Sequence, residues 1–449
     1  MLGYEKEQRS LTKEQKQAVG LLSVGTLLEY FDLMLYVHMS VLLNELFFPK
    51  ADTYATSLYS IAALCATFIF RPLGALVFGY LGDTYGRKTT VVITTMMMAT
   101  SCIVMALLPT YNEIGITASI IIILCRIVQG MSSMGEVIGT EVYLTEFTKP
   151  PIQYPIVALA TVFATVGTFA ALGIATIVTS YGFNWRYAFG IGAIIAVVGT
   201  IARTALRETP EFANAKLKLL KTFEKANRDI KVLENNPIWK EKIDKKTAIA
   251  LFIMDCAWPV CFYFAYIYCG DILIAKFNYT PDEVIKQNFK LSIVELISII
   301  TVAALSYKIY PLKILKVLLS IFTITVLLCP YLLNKASNPN QIFIIQSLIM
   351  AFALNVMPAV PNCFRHFPIF KRFTSVTFTY ALSAACMYVI SSFGFPYLIN
   401  TFGNWGLLII MIPTSIGFGF GIFHFERLEK ESGNYPTKPF VTSSPGMPS

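Results

Sequence analysis

Apolar runs long enough to cross a bilayer recur along almost the whole chain. A helix needs about 20 apolar residues to span the ~30 Å hydrocarbon layer. Stretches of that kind occur near 18–46, 55–81, 89–108, 115–144, 154–180, 185–206, 247–275, 288–307, 312–333, 341–362, 373–400 and 404–425. With no water to satisfy open backbone groups in lipid, each run must be a helix. Several exceed 20 residues, which implies tilt or helical ends outside the lipid. Only 14% of the residues are charged, against about 25% in soluble domains, too few to build a polar surface. An all-α membrane protein of twelve transmembrane helices is expected. The Lys- and Glu-rich stretch 207–246 separates two six-helix halves, 18–206 and 247–425, with a segment 1–17 before them and a tail 426–449 after them.

The net charge of +9 would invite a nucleic-acid partner in a soluble protein, but here the placement of the charges matters more than their sum. With the N-terminus inside and the sides alternating, the inner segments collect 28 Lys and Arg and the outer segments six. Positive charge gathers on the cytoplasmic side of membrane proteins, so both termini are expected in the cytoplasm. The expected setting is a bacterial inner membrane, with no cleaved signal peptide and no nucleic-acid partner. The central basic loop would meet anionic lipid.

The sharpest motif joins the second and third spans: Gly79-Tyr-Leu-Gly82-Asp83-Thr84-Tyr85-Gly86-Arg87-Lys88. Its glycines allow a tight turn and close helix approach. Asp83 suits a helix N-terminus, where an anion is stabilised. Arg87 and Lys88 hold the loop inside and offer ion pairs. The run Gly82…Gly86-Arg87-Lys88-Thr89 is not a phosphate-binding loop, because that motif has four residues between its glycines and Lys directly after the second. The nine cysteines lie almost wholly within apolar runs, with no CxxC pair and no Cys/His cluster. They read as small apolar packers, and neither a metal nor another cofactor is expected.

The decapeptide resembles the loop signature of the major facilitator superfamily, departing from it at Thr84, where a basic residue is usual. Within that superfamily the chain is similar to the metabolite:proton symporters, the group that contains proline/betaine transporters. Four segments carry the likeness. They are Gly25-Thr-Leu-Leu-Glu29-Tyr30-Phe31-Asp32 running on to Tyr36; Phe70-Arg71-Pro72-Leu73-Gly74; Arg126-Ile-Val-Gln129-Gly130 running on through Ser133, Glu136, Thr140 and Glu141 to Tyr143; and Arg207-Glu208-Thr209-Pro210-Glu211. The second-half counterpart of the signature loop, near Ser306–Pro311, is degenerate. The tail from Glu426 shows no heptads, so regulation through a C-terminal coiled coil is not expected. The resemblance implies two six-helix bundles rocking about a midplane site, with the signature loop as conformational gate: Gly79, Asp83, Gly86, Arg87 and Lys88. Glu141 and Glu146 are read as structural partners of the basic loop ends, which puts Glu141 with that gate.

Helical geometry picks out the remaining candidates. At 100° per residue Gly25, Glu29, Asp32 and Tyr36 form one stripe, and Arg126, Gln129, Ser133, Glu136 and Thr140 another. A polar stripe on a membrane helix faces protein or a water-filled path, because an ionised group in lipid costs several kcal/mol. Glu29 and Asp32, one turn apart, are the candidates for proton coupling, with Glu136 next. Arg71 and Arg126 are candidates to hold a substrate carboxylate, beside Tyr36 and Gln129. In the seventh span Asp255, Trp258, Phe262 and Tyr266 share a face. It reads as aromatic packing or, together with Asp255, as a cage for an ammonium head by cation–π attraction. Glu295 is another intramembrane charge, and His38, His366 and His424 receive no role. These readings converge on a monomeric, non-enzymatic proton symporter of a small zwitterion such as proline or glycine betaine. A di- or tricarboxylate is the alternative substrate. A membrane enzyme would need clustered His or paired surface carboxylates, and a sensor would need an added domain; neither is evident.

Overall fold

The computed structural model describes residues 7–48, 67–181, 184–203, 214, 217 and 241–436. The first part of the second span, most of the 207–246 loop, residues 437–449 and the side chain of Glu136 lie outside the described residues. Helices follow the apolar runs in order: α1 Lys13–Phe47, α2 Arg71–Thr84, α3 Arg87–Leu107, α4 Ile116–Phe147, α5 Gln153–Tyr181 and α6 Trp185–Arg203. The second half continues with α7 Lys245–Phe277, α8 Pro281–Leu305, α9 Pro311–Lys335, α10 Pro339–Ala351, α11 Ile369–Phe402 and α12 Leu407–Glu431.

Local chemistry sets several boundaries. The α8 helix begins at Pro281, several residues before the apolar run, because Thr280 and Glu283 form a reciprocal capping box with Pro at the first turn. Asn338 and Gln341 do the same for α10. Asp244 caps α7 by accepting from the amides of Lys246 and Thr247, and the Thr247 hydroxyl bonded to it holds its carboxyl below the ordinary value.

Two expected helices are interrupted. The α7 helix carries a π-helical turn over Tyr263–Tyr268. There the buried amides of Gln346 and Asn288 bond the carbonyls of Ala265 and Tyr266, at 2.7 Å and 3.2 Å. The tenth span is not continuous over 341–362. After Ala351 the chain unwinds, re-forms a short 3₁₀ turn at Met357–Ala359 and ends in the single turn Val360–Phe364. Such irregular backbone is tolerated at membrane depth only inside protein or beside a cavity.

Helices pack first within each half. The α1 helix lies along α5 and α6, α3 against α4 and α6, and α12 against α7 and α9. Two seams join the halves: α2 with α11 and α5 with α8. The α2–α4 contact is tight because a Cβ on Gly130 would fall 2.1 Å from the Thr67 carbonyl and one on Gly74 2.4 Å from that of Met131. Glycine is therefore required at both positions.

Candidate functional site

The signature loop closes one end of the α2–α11 seam. Gly86 has φ of 119°, a backbone region that favours glycine, and it turns the chain from α2 into α3. Asp83 then reaches the start of α11, accepting from the Phe373 and Thr374 amides at 3.2 Å and 2.9 Å and from the Thr374 hydroxyl at 2.6 Å. Arg87, fully buried, grips Glu146 through two nitrogens at 3.1 Å and 3.2 Å and donates to the carbonyls of Gly82 and Ile369. Arg372 of α11 reaches the same Glu146 at 3.2 Å. One carboxylate thus serves an arginine from each half. Gly79 lets the helices touch, since a Cβ there would lie 2.7 Å from Thr374 Cα. Lys88 sits part-exposed in the first turn of α3.

A second latch lies at the same end of the molecule. Glu429 on α12, fully buried, accepts from His366 at 2.8 Å, Asn362 at 2.7 Å and Tyr310 at 2.8 Å. Asn362 and Arg365 reach across to Tyr154 and Gln153 of α5 at 3.4 Å and 3.3 Å. His366, which received no role from the sequence, is part of this latch. The degenerate loop at 306–311 supplies Tyr310 instead of a charged signature.

Between the halves lies a cavity of about 80 Å³. Its first-half wall is Tyr30, Glu141, Thr161, Thr165 and Thr168; its second-half wall is Asp255, Trp258, Phe262, Glu295, Asn355 and Tyr380. Asn355 belongs to the unwound part of the tenth span, where its Oδ1 accepts from the Met357 amide at 2.9 Å. Tyr30 and Tyr380 hydrogen-bond across the halves. Tyr266, aligned with Trp258 in sequence, donates to Glu295 at 2.6 Å and so braces a wall residue. Glu141 corrects the sequence reading. It faces the cavity beside the Thr161 hydroxyl, 3.5 Å away, and the loop arginines pair with Glu146 instead. Its place on α4 nearly one and a half turns before Glu146 turns the two carboxylates to different surroundings.

The remaining first-half candidates form a chain inside the bundle. Arg126 donates to Gln129 at 2.9 Å and lies 4.1 Å over the Tyr36 ring. Gln129 reaches the Cys102 sulfur at 3.5 Å, and the Cys102 thiol donates to Asp32 Oδ2 at 2.9 Å. Asp32 Oδ1 and the Nε and Nη2 of Arg126 are buried without a hydrogen-bond partner among the described residues. Glu29 is buried one turn away, and Arg71 stacks over Phe68 at 4.6 Å. None of Glu29, Asp32, Tyr36, Arg71, Arg126 and Gln129 lines the cavity itself. Cys102 is not an inert packer: its sulfur links two helices. Tyr30, Tyr380, Cys102 and Asn355 were not singled out from the sequence, since none of them falls on one of the polar stripes.

The geometry agrees with comparisons to known proteins. The profile of the Major Facilitator Superfamily matches residues 22–372. A proline/betaine transporter of Escherichia coli K12 is 31% identical over 281 residues, covering 60% of this chain and 55% of that protein. An inner membrane metabolite transport protein of the same organism is 30% identical over 275 residues, covering 60% of each chain. The chain thus matches little more than half the length of these relatives. Among solved structures, the proton:xylose symporter XylE superposes with a TM-score of 0.71 at 13% identity, over 92% of this chain and 95% of that one. The human organic anion transporter MFSD10 gives 0.66 at 15% identity, over 92% and 100%. With a helical fold shared with these structures and a family profile covering most of its length, the chain belongs to the Major Facilitator Superfamily.

Proposed function

We propose that the protein is a proton-coupled carrier of a small zwitterion, with proline or glycine betaine the substrates to test first, working by alternating access. The observation that carries this reading is the cavity wall. Among the described residues it holds three carboxylates, Glu141, Asp255 and Glu295, with Trp258 and Phe262, and no lysine or arginine. A cationic head is attracted by such carboxylates and by an aromatic face, whereas a di- or tricarboxylate would be repelled. Both halves supply wall residues, so a bound solute is sensed by both as they rock. Arg71, buried at the start of α2, is the cation offered to the solute's carboxylate. The latches at Glu146 and Glu429 seal one end while the cavity is occupied.

Coupling is assigned to the buried chain Asp32–Cys102–Gln129–Arg126, with Glu29 beside it and Glu136 next. A carboxyl shielded from water changes protonation when its partners move. The similarity to proline/betaine transporters supports the solute class. The excess of Lys and Arg on the signature-loop side supports a bacterial inner-membrane orientation with both termini inside. In that orientation, single cysteines placed in 207–246 resist impermeant thiol reagents added to intact cells.

The deciding experiment is uptake of labelled proline, betaine and dicarboxylates into proteoliposomes under an imposed proton gradient. Accumulation of proline or betaine that collapses with the gradient is expected. Gradient-driven uptake of dicarboxylate alone would overturn the reading.

A further inference from the structure

We infer that a groove between α8 and α9 holds one acyl chain of an anionic phospholipid, with its headgroup at Lys313. The groove is a cavity of about 520 Å³ on the outer surface of the second half, unconnected with the solute site in its chemistry. Its walls are aliphatic, among them Ile297, Val302, Leu305, Val317 and Ile321. Two hydroxyls also line it, and both are used internally: Ser298 donates to the Ala351 carbonyl at 2.5 Å and Thr301 to Ile297 at 2.7 Å. No wall group other than Lys313 therefore asks for a polar partner. Ile297 and Val317 are 61% and 59% exposed, so the groove is open along its length to the bilayer.

Charge selects the occupant. Lys313 lies in the first turn of α9, where the chain enters the apolar layer, and lines the groove. It has no ion pair among the described residues, while its neighbour Lys316 is held by Glu426 at 2.6 Å. Lys308 is exposed on the loop just before. Both lysines stand on the signature-loop side, the inner leaflet in the proposed orientation. A lysine at that depth extends its ammonium to the headgroup layer and attracts an anionic headgroup over a zwitterionic one. The groove is long and apolar where a chain would lie and cationic where the phosphate would sit.

The position gives the lipid a lever. The floor of the groove reaches Ala351 and Phe352, where the tenth span unwinds. A small void behind shares Ser298, Val302, Leu318 and Ala351 with the groove and Trp258 and Asn355 with the solute cavity. A chain seated here packs against the break whose other side is the solute cavity wall.

The test is native mass spectrometry of the full-length protein released from detergent with equal phosphatidylglycerol and phosphatidylcholine. Retention of phosphatidylglycerol roughly five-fold over phosphatidylcholine is expected from one lysine at the headgroup layer. Lys313→Glu, at an exposed unpaired position, should leave folding intact and abolish the preference. Val317→Trp, which fills the groove, should lower retention of both lipids. Equal retention of the two lipids by the wild type would overturn the proposal. So would a preference that survives Lys313→Glu, or a lipid-free dimer burying this face.

Discussion

The Cys102 thiol donates to Asp32 Oδ2 at 2.9 Å, joining α3 to α1, and its sulfur also accepts from Gln129 of α4 at 3.5 Å. Asp32 is thereby tied to Arg126 without touching it. A donor to a buried carboxylate contributes about 1.5–3 kcal/mol to its ionised form. Cys102→Ser keeps a donor and should keep gradient-driven accumulation. Cys102→Ala removes it and should lower accumulation roughly tenfold, the effect of about 1.4 kcal/mol, while exchange between equal pools persists. Asp32→Asn should abolish accumulation and spare exchange. Equal accumulation by the serine and alanine variants would reduce Cys102 to a packer. Normal accumulation by Asp32→Asn and Glu29→Gln together would move the proton site to another carboxylate.

Trp258 lines the same cavity as Asp255, Glu141 and Glu295. A desolvated cation–π contact contributes about 2 kcal/mol. Trp258→Ala should therefore weaken betaine binding at least tenfold in a calorimetric titration, while Trp258→Phe recovers part of it. Arg126→Lys preserves charge but loses the planar fork over Tyr36 and Gln129. Gradient-driven accumulation should fall sharply while exchange between equal pools persists, and normal accumulation in this variant would remove Arg126 from the coupling chain.

Glu146 is the counterion shared by Arg87 and Arg372 in a buried setting, and Asp83 lies 3.4 Å from Arg87. Removing one partner of a buried ion pair costs about 3–5 kcal/mol, because the other charge is left unpaired. Glu146→Gln should lower the thermal midpoint in detergent by several degrees. It should also raise the alkylation rate of a cysteine at Thr374. An unchanged midpoint and unchanged labelling would show that the latch contributes nothing to closure.

Two glycines separate folding from gating. Gly130 packs against the Thr67 carbonyl within the first half, whereas Gly79 packs against Thr374 of the other half. Gly130→Val should prevent recovery of monodisperse protein. Gly79→Val should yield folded protein that cannot close the α2–α11 seam, so exchange and accumulation both stop. If Gly79→Val transports normally, that seam does not close during the cycle.

Much of this protein is legible from the chain alone. Twelve apolar runs dictate twelve helices, because lipid leaves backbone groups no other partner. The decapeptide ending in Arg87-Lys88 marks the turn between α2 and α3, since its glycines and charges serve a turn whose chemistry is local. The stripes of α1 and α4 identify Glu29, Asp32, Arg126 and Gln129 as inward-facing, because periodicity reports the face of a helix. What periodicity cannot report is which faces meet. Glu141 and Glu146 lie on one helix, yet one borders the cavity between the halves and the other takes two arginines, one of them 226 residues away. The break after Ala351 lies inside an apolar run, and Pro358 and Pro361 just beyond it are its only local signals. It arises where the carbonyl of Ala351 is taken by Ser298 of α8 and Asn355 meets a cavity. Cys102 looks like any small residue of an apolar run until α1 and α4 bring Asp32 and Gln129 to its sulfur. Composition and period determined the helices and their polar faces; only the packing of one helix on another decided which side chains share a site.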